Sequence, residues 1–122
     1  MTNKFCVSLT CAQENADKAT VAFVVANAAA ASDKETLVFL STEGVRLAVN
    51  GATDKIHEAG FAPLADLMKN FVEAGGKIYV CSPCFKKREL DESNLISGAT
   101  IVGGAKLVEF LTTDGVSPCI TY

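Results

Sequence analysis

Apolar positions along the chain switch between a period of two and a period near 3.6, and each switch marks a boundary between elements. Phe5-Cys6-Val7-Ser8-Leu9-Thr10 alternates in part between polar flanks, which predicts a first strand. From about Ala16 to Ala31 the spacing becomes helical. Asn15 or Asp17 supplies the cap, Val21, Phe23, Val24 and Val25 supply apolar bulk, and the alanines beyond suit close approach to a sheet. Thr36 to Ser41 is a continuous apolar run bounded by Glu35 and Glu43, the pattern of a parallel strand covered on both faces. Glu43 to Val49 reads as a short helix halted by Asn50-Gly51, and no element is assigned from Ala52 to Ala62.

Pro63 opens a helix through Ala74, with Leu64, Leu67, Met68, Phe71 and Val72 on one stripe and Gly75-Gly76 ending it. Lys77 to Cys81 is the next strand, and Ser82-Pro83 caps and starts a short helix whose first turn holds Cys84. Ala99 to Val102 is a short strand, followed after Gly103-Gly104 by an amphipathic helix from Ala105 to Thr112. Val116 to Tyr122 closes as a strand, and because Pro118 has no N–H to donate, this strand belongs at a sheet edge or begins there. Strands and helices alternate throughout, which predicts a parallel sheet between helix layers.

A chain of 122 residues, 49% hydrophobic and 20% charged with three prolines, has the size and composition of one folded domain, 1–122, and excludes a disordered one. Eleven Lys+Arg against fourteen Asp+Glu leave a net charge of -3, so nucleic acid is not an expected partner. The apolar run Val21 to Ala31, interrupted by Asn27, falls well short of the roughly 20 residues of a bilayer span, so no membrane association is expected. The first ten residues turn polar too early for a secretory signal, and the expected location is cytoplasmic.

The cysteines carry the chemistry. Five of them, an odd number without an export signal, read as thiols, ligands or redox centres rather than as a disulfide framework. In an open α/β sheet reactive groups gather beyond the carboxyl ends of the strands. Cys11 follows the first strand, Cys81 ends the third, and Cys84 lies beside Cys81, so the three thiols are expected on one rim. Helix N-terminal amides and the basic run Lys86-Lys87-Arg88 favour thiolate at the Cys81-Ser82-Pro83-Cys84 pair. A single C-x-x-C with Cys11 and His57 as the remaining ligands is too little for a zinc pattern, and neither a metal nor another cofactor is expected. His57 reads as a surface residue, and Cys6 and Cys119 read as packing residues. The glycines form no phosphate-binding loop and no G-x-S-x-G elbow.

Three stretches then resemble the DsrE/DsrF/TusD group of small sulfur-relay proteins, over nearly the whole chain: the first strand with its alanine-rich helix, Val38-Phe39-Leu40-Ser41-Thr42-Glu43-Gly44-Val45, and Gly75-Gly76-Lys77-Ile78-Tyr79-Val80-Cys81 leading to Cys84 and Arg88. The resemblance implies a three-layer α/β/α fold with a five-stranded, mainly parallel sheet, assembled as a homo-oligomer, trimer or hexamer. It implies that Cys81 accepts sulfur as a persulfide, that Cys84 is a second thiol, and that Arg88 is the arginine which in relatives precedes Gly-Leu; here Glu89 replaces that glycine. Partners would be sulfur donor and acceptor proteins or small thiols. Two other readings stand beside it. The C-x-P-C pattern suits a dithiol/disulfide oxidoreductase, although no Trp precedes it and it comes two-thirds of the way along the chain. A non-enzymatic oligomeric binding module would leave the thiols incidental.

Overall fold

Parallel pairing organises the molecule. The computed structural model describes residues 3–122, and among these the sheet has five strands: β1 Lys4–Leu9, β2 Glu35–Leu40, β3 Lys77–Cys81, β4 Ala99–Val102 and β5 Cys119–Thr121. Their order is β4-β3-β2-β1-β5, and each of the four ladders is parallel. Parallel neighbours require a crossover, which is why helices separate the strands in sequence. The four α-helices are α1 Ala16–Ala31, α2 Leu64–Glu73, α3 Ser82–Lys87 and α4 Gly104–Thr112.

Strand alternation sorts the side chains into two cores. Val7, Leu9, Val38, Leu40, Ile78 and Val80 face α1 and α2, where Phe23 and Phe71 meet edge to face with ring centroids 5.9 Å apart. Cys6, Leu37 and Phe39 face the other way, against Phe110 of α4. The result is the three-layer α/β/α architecture with five strands that the sequence suggested, entirely rather than mainly parallel within its sheet. Alanines 19, 22 and 26 of α1 are fully buried, so the helix lies close to the sheet. Asn27, the polar interruption of that apolar run, donates from Nδ2 to the Leu67 carbonyl at 3.0 Å and so ties α1 to α2. Asn15, not Asp17, is the α1 cap, accepting from the Lys18 amide.

Two elements depart from the sequence reading. The segment after β2 is a 3-10 helix, Thr42–Ala48, because Gly44 is pressed against the end of β1. The last strand is shorter than Val116 to Tyr122: Val116 is 89% exposed and Pro118 lies just outside, contributing only its carbonyl, which accepts from Cys6 N–H at 3.0 Å. As expected from Pro118, β5 is an edge strand. His57 is exposed, and its Nε2 is 2.8 Å from the Phe61 carbonyl oxygen. No helix among the described residues is long and apolar enough to cross a membrane.

A methyl group at Gly44 would lie 2.3 Å from the Leu9 carbonyl oxygen, a backbone atom that cannot swing aside. Gly44→Ala should therefore cost about 2 kcal/mol or more, lowering Tm by roughly 5–15 °C in a thermal melt; an unchanged Tm would show that this contact is not tight.

Candidate functional site

The carboxyl ends of β1, β2 and β3 open onto one rim, and three backbone features place groups there. Cys81 is the last residue of β3 and also occupies the N-cap position of α3, where it makes no regular cap hydrogen bond. Ser82 starts that helix, Pro83 follows in its first turn where no amide is left unmatched, and the buried Phe85 holds it down. Cys84 follows in the first turn, and both thiols are half-buried.

From the neighbouring β2 comes Thr42, whose φ of 50° lies in the left-handed region that a β-branched residue rarely enters. Its hydroxyl donates to the Thr10 carbonyl at 2.6 Å, which helps hold the strained backbone. In this conformation the Thr42 amide acts on the Cys84 sulfur.

The two thiols are thereby set apart. Burial raises the Cys84 pKa, but the Cys81 S–H, the Thr42 amide and the Arg88 and Lys87 charges together outweigh it, and the thiol lies below its ordinary value. Burial pushes Cys81 up, and its contact with Cys84 adds to the rise against the lowering effects of the Cys84 amide and Arg88. The sequence reading favoured thiolate at Cys81 as well; the structure instead favours it at Cys84. The reason is positional. Cys81 still belongs to the strand and packs against both cores, while Cys84 lies in the first turn of α3 and packs against only one of them.

Arg88, with its side chain only 14% exposed, is the C-cap residue of α3. It donates from Nε to Glu43 Oε1 at 2.8 Å and from a terminal nitrogen to the Cys84 carbonyl at 3.1 Å. Glu43 Oε2 meets Arg46 Nε at 2.7 Å, and the two guanidinium contacts hold its carboxyl below the usual range. Glu89 takes φ 53°, and Leu90 N–H bonds the Phe85 carbonyl, so the helix ends in the left-handed turn that a glycine would adopt without strain.

Cys11 does not join the pair. It lies beyond β1, separated from β3 by the whole of β2, a gap of roughly 9–10 Å at ordinary strand spacing. Its S–H is directed to the Asn15 carbonyl at 3.7 Å, and burial followed by Glu14 raises its pKa. Among the described residues no group of three or more His, Cys, Asp or Glu side chains is arranged to hold a metal ion. A cleft of about 300 Å³, lined by Gln13, Glu14, Glu43, Arg46 and Leu90, adjoins the Arg88–Glu43 contact. A larger one of about 460 Å³, bordered by Met68, Val72 and Ile96, has no thiol in its wall. Thr42 and Glu43 were not singled out as site residues from the sequence; the signal for them was the strand-end position of Ser41-Thr42-Glu43 beside the strand that ends in Cys81.

An α/β/α chain with a dithiol at the strand rim is the class of protein that this geometry defines. The chain belongs to the DsrE/DsrF-like family, whose sequence model matches residues 3–115. It is 33% identical over 104 residues to the uncharacterized protein MJ0760 of Methanocaldococcus jannaschii, a match spanning 85% of this chain and 38% of that relative's length. A second uncharacterized protein of that organism, MJ0989, is also 33% identical, over 108 residues covering 88% of this chain and 91% of the relative. The fold is similar to that of the ychN protein from E. coli, with a TM-score of 0.80 and 16% identity over 100% of both chains. It is similar too to MTH1491 from Methanobacterium thermoautotrophicum, a protein of unknown function, with a TM-score of 0.64 and 16% identity over 98% of this chain and 99% of that one.

The split between the thiols has a kinetic signature. Thiolate forms as pH rises through the pKa, so the rate of Cys84 alkylation by iodoacetamide should reach its midpoint at a lower pH than an ordinary thiol, and that of Cys81 at a higher one. The wild-type chain, pulse-alkylated at each pH and read by fragmentation of the peptide that carries both cysteines, checks this; the opposite order would return the nucleophile to Cys81.

Proposed function

We propose that the chain is a sulfur-relay protein that carries a persulfide on Cys84, with Cys81 as its resolving thiol and Arg88 as a positioning residue. The observation that carries the reading is the pair of half-buried thiols where β3 turns into α3, with Arg88 bonded to the Cys84 carbonyl and the Cys84 pKa lowered by its neighbours. Membership of the DsrE/DsrF-like family supports it. The Cys84 thiolate attacks the outer sulfur of a donor persulfide R–S–SH, the S–S bond breaks, and R–S⁻ departs, leaving Cys84–S–SH. An acceptor thiolate then takes that outer sulfur and restores the Cys84 thiolate. Alternatively Cys81, once deprotonated, attacks the Cys84 sulfur, expels HS⁻ and closes a Cys81–Cys84 disulfide. Arg88, tied to the Cys84 carbonyl and to Glu43, holds the loop in register and keeps positive charge near the sulfur.

The contact between the two sulfurs also favours a second reading, a dithiol/disulfide oxidoreductase. A relay and an oxidoreductase differ in what they require of Cys81. Incubation with a small persulfide donor followed by intact mass measurement should show one added sulfur on Cys81→Ser, which has no resolving thiol to expel it, and none at this site on Cys84→Ser. If Cys81→Ser takes up no sulfur while the wild type turns over disulfides, the oxidoreductase reading replaces the relay.

Partners are part of the same proposal: donor and acceptor proteins or small thiols, and further copies of the chain in a trimer or hexamer. The support for self-association is apolar side chains left exposed on two faces, Val108 of α4 at 59% and Ile120 of the edge strand β5 at 40%. Light scattering on the purified protein should give the mass of a trimer or hexamer, and a monomer at micromolar concentration would refute that assembly.

A further inference from the structure

We propose that Cys6 and Cys119 are a second redox-active dithiol, which a low-molecular-weight disulfide oxidises to a cross-strand bond clamping the edge strand β5 to β1. The two residues are direct partners in the parallel β1–β5 register, so their side chains leave the sheet on the same face. Facing residues on adjacent strands are about 4.8 Å apart at Cα, inside the range that disulfides span. Their side chains already interact, sulfur to sulfur. Neither residue belongs to the Cys81–Cys84 site, which lies across β2 at the carboxyl end of β3, whereas Cys6 is inside β1.

The pair is asymmetric in access. Cys6 is fully buried against Leu37, Phe39 and Phe110, whereas Cys119 is exposed on a strand of three residues. Burial, then the Cys119 sulfur, pushes the Cys6 thiol far up, so Cys119 is the one that meets an oxidant first. A disulfide needs its Cβ atoms closer than parallel strands ordinarily place them, by about 1 Å. The strand able to give way is β5. It follows an exposed turn in which Asp114 and Gly115 both have positive φ, and Cys119 to Thr121 are all exposed.

The steps balance. The Cys119 thiolate attacks one sulfur of R–S–S–R, giving Cys119–S–S–R and R–S⁻. Cys6 then attacks the Cys119 sulfur, its proton passes to the departing sulfur, and R–SH leaves. Two protein thiols are oxidised, and one small disulfide is reduced to two thiols.

The test uses the wild-type chain incubated with oxidised glutathione, alkylated after denaturation and cut with trypsin. Peptide 5–18 carries Cys6 and Cys11, peptide 107–122 carries Cys119, and peptide 78–86 carries Cys81 and Cys84, so the two dithiols are read separately. The expected product is peptide 5–18 joined to peptide 107–122, lighter than their sum by two hydrogen atoms, retained in Cys11→Ala and lost in Cys119→Ser. A stable glutathione adduct on Cys119 without the link, a link that vanishes in Cys11→Ala, or unmodified peptides would each overturn the assignment. None of these outcomes bears on sulfur uptake by Cys84.

Discussion

The fold depends on a single geometric constraint, that all neighbouring strands run in the same direction. A parallel ladder cannot be closed by a tight turn, so every return passes over a face of the sheet, and every strand delivers its carboxyl end to the same rim. Two consequences follow for chemistry. Segments remote in sequence become neighbours at strand ends, Thr42 with Thr10 on one side and with Cys84 on the other. The rim also collects backbone amides at the turns, which is where a thiol can be stabilised as thiolate in a chain whose net charge is negative.

At that rim, strain and reactivity are joined through one residue. Thr42 is held left-handed by the close approach of Gly44 to β1 and by its own hydroxyl bond to Thr10. A conformation costing on the order of 1–2 kcal/mol is tolerated because these contacts over-determine it. The benefit falls on Cys84, which receives the Thr42 amide. Glu89 repeats the pattern at the far end of α3: a non-glycine residue is forced left-handed so that Arg88 can close on Glu43. The helix of the site is thus pinned at both ends by backbone that its side chains do not favour.

Much of this was legible beforehand. The order of elements followed from periodicity, since long apolar stripes such as Leu64 to Val72 and runs such as Thr36 to Ser41 leave little choice. Pro118 announced an edge strand because a missing donor is a local property. The C-x-x-C and its basic flank marked the dithiol for the same reason. What stayed hidden depended on distances between separate strands. Cys11 shares the rim but not the site, because β2 was inserted between β1 and β3. The preference for Cys84 over Cys81 rests on the contact between the two sulfurs and then on the amide of Thr42, contributed from another strand end. The 3-10 path after β2 arises from a glycine packed on a carbonyl, which spacing alone cannot reveal.

The same sulfur chemistry is tuned in opposite directions at two places in one sheet. Cys84 has left its strand and gained an amide, a thiol and two cationic side chains, all of which favour charge over burial. Cys6 remains within β1, with its backbone N–H bonded to Pro118 and its side chain in the apolar layer under α4, and burial there favours the neutral thiol. The difference between an attacking sulfur and a waiting one is therefore whether the residue lies within a ladder or just past its end. On that distinction the proposed relay places its nucleophile at Cys84, and the proposed second dithiol has Cys6 react only after Cys119 has been activated.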